Sequence, residues 1–310
     1  MCLRLNVKRM ACYVRCLIVP PFLTVSLFCP MYVGAAEVKL LAPDSVYVGE
    51  IFKVAVTSSQ RMEGVTITWL NKEISLPVDE TRNGYVAEVL LGTDVLRLKS
   101  GKEVLRARCS LDSKILELHQ AVALTSKEYP VQRLTLPEAL VTPPEEAWDR
   151  IKSERGEIRN ALNTISQQKL WTFPFAKPLT GEVTSIYGLR RILNGKPRWP
   201  HRGVDFRAQM GTPVKACNEG QVILIGDHYY AGKSVYLDHG LGLISMYFHL
   251  ARSTVHLHQR VRKGDIIGFS GQSGRATGPH LHFGLSTQGQ LVDPMPLFNE
   301  AFAAKASIEK

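Results

Sequence analysis

The chain has 310 residues, of which 45% are hydrophobic and 21% are charged. This balance excludes a disordered chain and an integral membrane bundle, and the length suits two domains of ordinary size. The formal net charge of +10 is compatible with nucleic acid, an anionic membrane surface or a carboxylate-rich polymer as a partner, and it does not choose among them.

The first 36 residues have the composition of a secretory signal peptide. Basic side chains without any acid are followed by the apolar run 17–28 and then by the small residues Gly34, Ala35 and Ala36. This order predicts export across the inner membrane, with cleavage after Ala35 or Ala36. We therefore expect a periplasmic or cell-envelope protein whose mature chain has no membrane span.

Two alternatives for this segment are weaker. A membrane anchor needs about 20 apolar residues, whereas the run 17–28 is shorter and contains Pro20 and Pro21. A lipoprotein signal ending at Cys29 would require a small residue at the position that bulky Phe28 occupies.

The predicted cleavage removes four of the six cysteines and leaves Cys109 and Cys217. Both lie beside alternating apolar residues, in different parts of the chain. We therefore predict two buried, unpaired thiols and no disulfide framework.

Residues 37–132 alternate between apolar and polar side chains in short runs such as 52–56 and 65–69, which turn-forming residues separate. Period-two runs at this spacing predict a mainly β fold, here an N-terminal β-sandwich of the immunoglobulin-like kind. The segment has one histidine, His119, and no catalytic cluster. Its expected role is binding or positioning.

Residues 133–171 are predicted to form a linker that contains a helix. Thr142 and Glu145 have the spacing of a capping box, with prolines between them. Apolar residues follow at helical spacing, which predicts a helix over about 143–168 whose apolar stripe packs against a neighbouring domain. The stripe consists of Trp148, Ile151, Ile158, Leu162 and Ile165.

In residues 172–299 glycines recur every few residues between short β-type runs. This pattern predicts a compact antiparallel β-sheet domain at the C-terminal end of the chain. Residues 300–310 are predicted to be a C-terminal tail.

Eight of the nine histidines lie between residues 201 and 282, which indicates a metal or proton-transfer site in this domain. His201 and Asp205 are four residues apart, and in a straight strand they would lie ~13 Å apart, too far to bind one ion. The chain must therefore bend, and we expect the bend at Gly203. A surface histidine and a structural aspartate are the alternative for this motif.

His280 and His282 are separated by one residue. On a strand they would project from the same face, ~6.6 Å apart, while Leu281 and Phe283 face the core. Both imidazoles could then reach one ion or one substrate atom.

The remaining histidines are less informative. His249 ends the apolar run 243–248, which suits a side chain delivered from a strand end into a cleft, although on its own it would be an ordinary core or surface histidine. His256 and His258 stand in a basic stretch, which predicts a solvated strand. Polar turns are predicted around His228 and His239.

Together these motifs supply three metal ligands and two spare imidazoles. Three nitrogen or oxygen ligands leave the fourth tetrahedral position of zinc to water, as in catalytic zinc sites. The ion would lower the pKa of that water to about 7 and polarise a carbonyl. One spare imidazole could then accept the proton of the water, and the other could donate a hydrogen bond to the developing oxyanion.

The segment 172–298 carries further motifs in a fixed order. They are Tyr187-Gly-Leu-Arg-Arg191, Asn194-Gly195, His201-Arg-Gly-Val-Asp-Phe206, Gly211-Thr-Pro-Val214, Met246-Tyr-Phe-His-Leu250, Lys263-Gly-Asp265, and Ser270-Gly leading into Gly278-Pro-His-Leu-His-Phe283. In this order the segment resembles the lysostaphin-type (LytM-like) zinc peptidoglycan endopeptidases.

The resemblance implies that His201, Asp205 and His282 hold a zinc ion, and that His249 and His280 are the catalytic imidazoles. It also implies a compact β-sheet catalytic domain and a zinc metalloendopeptidase that hydrolyses peptide bonds in peptidoglycan stem or cross-link peptides. Some relatives have lost ligands and act only as activators of other wall hydrolases. Because all five positions are filled here, the resemblance favours an active enzyme.

The approach to His201 is rich in basic side chains, and Asp205 is the only acid between residues 190 and 207. The basic residues are Arg190, Arg191, Lys196, Arg198 and Arg202. Such groups can pair with the free carboxylates of peptidoglycan stems, and a solvated basic loop is the alternative. Trp199 is either a substrate platform or a loop anchor.

Two other functions fit part of the pattern. Two histidines and one carboxylate also describe the non-haem iron oxygenases, but that function gives His249 and His280 no role. A secreted wall-binding or hydrolase-activating module with an idle metal site is the second alternative.

The sequence leaves the cleaved bond open. The resemblance allows glycyl-glycine bridges or the D-alanyl link to a meso-diaminopimelate stem, and we favour the latter. It also leaves open whether the N-terminal region inhibits the site within the same chain. Peptidoglycan is the expected partner, and nucleic acid is not.

Overall fold

The structure, a computed structural model, describes residues 37–135 and 137–302. The predicted signal peptide and most of the predicted tail lie outside the described residues. In the described part of the chain, no helix is long and apolar enough to cross a membrane.

The first nine strands form two sheets that face each other across an apolar core. One sheet has the order β1 (Val38–Leu41), β3 (Ile51–Ser58), β7 (Gly84–Gly92), β6 (Asp79–Thr81). The other has the order β2 (Ser45–Tyr47), β9 (Lys114–Thr125), β8 (Gly101–Leu111), β4 (Gly64–Trp69), β5 (Lys72–Leu76). In β4, for example, Val65, Ile67 and Trp69 are buried while the residues between them are not. The alternation predicted this sandwich, and the mainly β fold is confirmed.

The linker contains a short strand and two helices. These are β10 (Val131–Leu134), α1 (Glu138–Val141) and α2 (Trp148–Leu162), with a 3₁₀ turn at Glu145–Ala147 before α2. The predicted helix over 143–168 is therefore wrong at both ends. Thr142 ends α1 and its hydroxyl donates to the Glu138 carboxylate, because the two prolines that follow it favour extended backbone there. At the other end, Asn163 leaves the helical conformation.

The apolar side of α2 packs against the C-terminal sheet, as the stripe predicted. Ile151 is buried, and Ile158 and Leu162 pack against a cluster that includes Tyr236 and Met246. Trp148, at the first turn, is instead 46% exposed.

The C-terminal half is built from β11 to β22. Their bounds are β11 Val183–Ser185, β12 Arg190–Leu193, β13 Lys196–Pro197, β14 Val204–Arg207, β15 Pro213–Lys215, β16 Gly220–His228, β17 Gly232–Asp238, β18 Leu243–Ser253, β19 Arg260–Val261, β20 Ile266–Ser270, β21 His280–Thr287 and β22 Gln290–Val292. The main sheet runs in the order β11, β14, β21, β18, β17, β16, β19, with β20, β15 and β22 attached to it. The hairpin of β12 and β13 forms a separate three-stranded sheet with the linker strand β10, which pairs parallel to β12.

The sandwich and the main sheet share apolar core. Ile51 and Leu90 of the first sheet belong to the same buried cluster as Trp171, Val204 and other residues of the C-terminal half. The boundaries 37–132, 133–171 and 172–299 stay a prediction, because this cluster runs across them. Cys109 and Cys217 are both buried and unpaired, as predicted.

Glu88 forms a partly buried ion-pair cluster at this junction. Its carboxylate pairs with Lys53 of β3 and with Lys169, which follows the linker helix. Burial raises the pKa of Glu88, but hydrogen bonds and charge from Lys169 and Lys53 outweigh burial, so the pKa lies below its ordinary value. The cluster therefore joins the sandwich to the chain that enters the C-terminal half.

Replacing Glu88 by Gln is expected to lower the free energy of unfolding at pH 7 by about 1–3 kcal/mol, because Lys53 and Lys169 each lose their ion pair with this carboxylate. The pKa of Glu88 is lower in the folded chain than its ordinary value of 4.5. The contribution of Glu88 to stability is therefore complete above that value, and it is lost as the pH falls through the pKa of Glu88 in the folded chain. Urea unfolding measured from pH 7 down to pH 3 checks both expectations.

Glu80→Gln is the matched control, because Glu80 is exposed in the neighbouring strand β6. We expect it to change stability by less than about 0.5 kcal/mol. Equal losses of unfolding free energy in the two variants would contradict the role of the cluster. So would a stability difference between Glu88→Gln and the wild type that stays the same at low pH.

Candidate active site

Strand register brings the predicted site residues together. In the antiparallel pair β14 and β21, Asp205 lies opposite His282, and in the pair β18 and β21, Phe248 lies opposite His282. β21 is thus the central strand, and its first residues, His280 and His282, point to one face. Leu281 and Phe283 are fully buried on the other face, as their spacing predicted.

His201 enters from the loop before β14. The chain bends at Gly203, as predicted, and this bend returns the imidazole to the start of the strand. His201 Nε2 lies 3.0 Å from Asp205 Oδ1, although four residues separate them. A Cβ at Gly203 would lie 2.6 Å from His282 Nε2, so the approach of the His282 ring requires glycine here.

Three ligand atoms converge: His201 Nε2, Asp205 Oδ1 and His282 Nδ1. His282 Nδ1 is 2.9 Å from each of the other two atoms. With bonds of ~2.0–2.1 Å, the edges of a tetrahedral zinc site measure ~3.3 Å. A shift of a few tenths of an ångström would therefore fit the three atoms around one zinc ion. Among the described residues, this is the group of histidine, cysteine and carboxylate side chains that could hold a metal.

Each candidate ligand is oriented by a further contact. His201 Nδ1 donates to the Ile186 carbonyl at 3.0 Å, which leaves Nε2 free of its proton. Asp205 Oδ2 accepts from Arg191 Nη2 at 3.3 Å, which leaves Oδ1 for the metal. The Phe248 ring stacks on His282 with an interplanar angle of 9°. These contacts hold the donors in place.

The Asp205 carboxylate is ionised. Burial raises its pKa, but hydrogen bonds and charge from His201 and His282 outweigh burial and hold the pKa far below its usual range. Burial also lowers the pKa of His282, which keeps that imidazole neutral. One anionic and two neutral donors are the forms that bind a divalent metal.

His249 and His280 lie beside these three residues, with ring centroids 4.7 Å apart. His249 Nδ1 donates to the Ser273 carbonyl at 2.9 Å, and His280 Nδ1 donates to the Gly278 carbonyl at 2.8 Å. In the neutral form of either ring, this hydrogen bond leaves Nε2 as the nitrogen without a proton. His280 Nε2 is 3.9 Å from Asp205 Oδ1.

His249 does not come from a strand end, contrary to the prediction. It lies inside the long strand β18, with φ of 60°, where the strand changes partner from β21 to β20. A non-glycine residue in this left-handed region is strained, and such strain is frequent at functional sites. Burial, followed by electrostatic interaction with the His282 and His280 rings, lowers the pKa of His249 to about 3, so the ring is neutral at pH 7.

The other four histidines of this half lie outside the site. His256 and His258 are exposed as expected, but they belong to a turn and not to a strand. His228 and His239 are buried, contrary to the polar turns predicted for them. The polar neighbours that suggested turns were misleading, because buried serines and, for His239, a backbone carbonyl satisfy these two rings.

Sequence reasoning missed Arg275, which lies in the loop before His280. Its guanidinium lies 4.6 Å from the centroid of the Tyr230 ring. The signal in the sequence is a single basic residue inside the glycine-rich stretch 271–278, far along the chain from the basic residues next to His201. Trp199 is 74% exposed, which excludes the loop-anchor alternative.

Comparisons with known proteins agree on one family. The sequence model of Peptidase family M23 matches residues 199–294. The peptidoglycan DD-endopeptidase ShyA of Vibrio cholerae is 43% identical over 96 residues, which are 31% of this chain and 22% of that protein. An uncharacterized metalloprotease of Haemophilus influenzae is 28% identical over 232 residues, 73% of this chain and 48% of that protein. The chain thus matches less than half the length of either relative.

One solved structure resembles most of the described chain. It is described as a candidate M23 peptidase from Pseudomonas aeruginosa, and it matches with a TM-score of 0.57 and 28% sequence identity. The match covers 76% of this chain and 87% of that chain. The similarity therefore extends beyond residues 199–294.

The metal site makes one prediction that needs no substrate. We expect His282→Ala to lose stoichiometric zinc, because the variant removes the central one of three converging donors. Exposed His258→Ala is expected to keep the metal content of the wild type. Metal analysis after equilibrium dialysis against zinc provides the test. A zinc content of His282→Ala equal to that of the wild type would remove this residue from the ligand set.

Proposed function

Residues 199–294 of the chain are a domain of peptidase family M23, and this confirms the resemblance drawn from the motifs. From this premise we propose that the protein is a zinc metalloendopeptidase. Its proposed substrates are the stem or cross-link peptides of peptidoglycan. The observation that carries the proposal is the convergence of three candidate ligand atoms beside two imidazoles whose Nδ1 atoms donate to backbone carbonyls.

In this proposal His201, Asp205 and His282 hold the zinc ion. When bound, zinc would lower the pKa of a coordinated water to about 7 and polarise the carbonyl of the cleaved peptide bond. The chain itself contributes fixed donor geometry through Ile186, Arg191 and Phe248. Such orientation of the ligands is a condition for both effects.

His249 and His280 are the proposed proton-transfer residues. At neutral pH the His249 ring is neutral and its Nε2 can accept a proton from the attacking water. A ring that has taken up a proton at Nε2 can donate a hydrogen bond to the oxyanion on the tetrahedral carbon, and later pass the proton to the leaving amine. The carbonyls of Ser273 and Gly278 keep Nδ1 protonated throughout and so fix which nitrogen acts.

The identity of the cleaved bond is also a proposal. A relative with 43% identity over the catalytic segment is named a peptidoglycan DD-endopeptidase, and this supports the D-alanyl link favoured from the sequence. An envelope location agrees with such a substrate, and export itself stays a prediction from residues 1–36. The idle wall-binding or activating module remains the second candidate. All five polar positions are filled and hydrogen-bonded, which favours the enzyme.

We expect the zinc-loaded chain to release new free amines from purified sacculi. His249→Ala is expected to keep zinc but to lower turnover by at least about 100-fold, because it removes one proton-transfer group and none of the three ligands. Amine release and metal content measured on the same samples test both statements.

Mass spectrometry of the released muropeptides identifies the bond, and D-alanyl carboxyl ends are expected. His256 is exposed, so His256→Ala is the control and should release amines at the wild-type rate. Amines released by His249→Ala at the wild-type rate would contradict the role of that residue. Zinc binding without any amine release would favour the idle or activating module.

We also infer that the linker restrains the active site within the same chain. Strand β10 pairs with β12, and β12 carries Arg191, which donates to Asp205. At the tip of the hairpin, Asn194 Nδ2 donates to Glu138 Oε2 of α1 at 3.2 Å. The hairpin beside the ligands is thus held by residues from the linker. Opening it for a polymeric substrate would require these contacts to break.

Glu138→Ala is therefore expected to raise the turnover of sacculi severalfold, because it removes the contacts of this carboxylate with Asn194 and Lys196 at the hairpin tip without touching a ligand. Glu145→Ala, an exposed change in the same linker, should leave turnover unchanged. Amine-release rates of the zinc-loaded full chains provide the comparison. Equal rates for the two variants would argue against restraint by the linker.

A further inference from the structure

Three arginines from two separate segments lie at the edge of the candidate active site. Arg191 and Arg198 stand on the two arms of the β12–β13 hairpin, where the Arg198 backbone N–H donates to the Arg191 carbonyl at 2.9 Å. Arg275 comes from the loop before His280. This loop borders the site, because the carbonyl of Ser273, two residues before Arg275, accepts from His249 Nδ1 at 2.9 Å. Desolvation, and then repulsion from Arg191 and Arg198, lowers the pKa of Arg275, which agrees with that position. We name these residues the arginine cluster.

The arginine cluster has unused hydrogen-bond donors. Arg191 donates through Nη2 to Ser185 and to Asp205, but its Nε is buried without a hydrogen-bond partner in the described part of the chain. The buried Nε of Arg198 likewise finds no partner among the described residues. Buried N–H groups are normally satisfied, so Arg191 and Arg198 have hydrogen-bonding capacity that the described residues leave unused.

The side chain of Arg275 is held in position by its loop. The Arg275 backbone N–H donates to the Tyr230 carbonyl at 3.1 Å, and the guanidinium covers the Tyr230 ring. A Cβ at Gly274, where φ is 68°, would lie 2.3 Å from the Gly232 backbone nitrogen, so glycine allows this close packing. Within the described residues, neither Arg198 nor Arg275 forms an ion pair with a carboxylate. Arg275 is therefore held in place, and of the three arginines only Arg191 has a carboxylate partner among the described residues.

The location of the cluster limits what it can bind. Arg191 contacts the candidate metal ligand Asp205, so a ligand of the cluster would lie within a few ångströms of the bond to be cleaved. A guanidinium presents two parallel N–H donors that match the two oxygens of a carboxylate. A peptide with a free carboxylate close to the cleaved bond fits both the position and the donor geometry.

We propose that Arg198 and Arg275, anchored by Arg191, form a carboxylate-binding subsite that selects substrate peptides with a free carboxylate next to the cleaved bond. The proposal rests on the proposed peptidase function. In this proposal Arg198 and Arg275 recognise the negative charge of the substrate, whereas the five histidine and aspartate residues perform the chemistry. Peptides whose carboxylate is converted to the carboxamide would then be poor ligands.

The test compares two synthetic peptides that share a D-alanyl bond and differ only in the side group of the following residue, a free carboxylate or its carboxamide. Calorimetric titration into zinc-loaded full chain carrying His249→Ala measures binding without turnover. We expect the carboxylate peptide to bind about tenfold more tightly, as one charge-assisted hydrogen-bonded pair allows. Arg198→Gln and Arg275→Gln, each added to that chain, should remove this preference by weakening the carboxylate peptide only.

Arg262→Gln is the matched control, because it removes the same charge from an exposed site on the same domain, and it should keep the full preference. Arg275→Lys keeps the charge without the fork, and part of the preference should return. Equal thermal melting and zinc content of the variants exclude misfolding as the cause. A preference that survives both glutamine substitutions, equal binding of the two peptides, or binding of neither would overturn the subsite.

Cleavage of the same peptides by the zinc-loaded chain without substitutions separates this proposal from the peptidase function. Turnover of both peptides without a preference in binding would overturn the subsite and leave the peptidase intact. A carboxylate preference that disappears in Arg198→Gln and Arg275→Gln, without any turnover, would support the subsite and contradict the peptidase.

Discussion

The pairing of Asp205 with His282 across β14 and β21 is the contact on which the rest of the site depends. Because side chains alternate along a strand, a slip of one residue would place buried Leu281 or Phe283 opposite the carboxylate and turn both histidines away. The buried face of β21 therefore fixes the register, and the register brings the proposed metal ligands Asp205 and His282 together. The bend at Gly203 then has to return only one further residue, His201, to the same point. Packing of an apolar face thus determines polar chemistry on the opposite face.

The N-terminal half takes part in this arrangement and is not a detached module. Asp94, fully buried in the loop after β7, pairs with Arg202 at 3.4 Å, directly next to His201. Tyr187 accepts a hydrogen bond from the Val95 backbone and donates one to the Leu291 carbonyl, so it joins the same loop to the main sheet. The segment from Tyr187 to His201, which contains the hairpin, is therefore bordered by the sandwich on one side and by the linker strand on the other. The geometry of the site depends on residues that are distant in sequence.

These long-range contacts also explain what the sequence could and could not predict. The alternation around His280 and His282 and the spacing from His201 to Asp205 are local, so the strand face and the bend followed from the sequence. The kink at His249 depends on a change of strand partner, and the burial of His228 and His239 depends on serines elsewhere in the sheet. Arg275 joins Arg191 and Arg198 only through the fold. Helix α2 began later than predicted because consecutive prolines favoured extended backbone over the capping box.

The distribution of charge connects the metal ligands with the arginine cluster. Asp205 is the one carboxylate among the five site positions, and its strongly lowered pKa keeps it negative. In the proposed zinc-bound enzyme the metal ion would offset that charge at Oδ1, and Arg191 offsets it at Oδ2. Arg191 donates to Asp205 on one side, while the unpaired donors of the cluster lie beside it. The same guanidinium that orients the metal ligand therefore also offsets its charge toward an incoming carboxylate. Under this proposal an anionic peptide can approach Asp205, because Arg191 is held beside that carboxylate by its hydrogen bonds to Ser185 and Asp205.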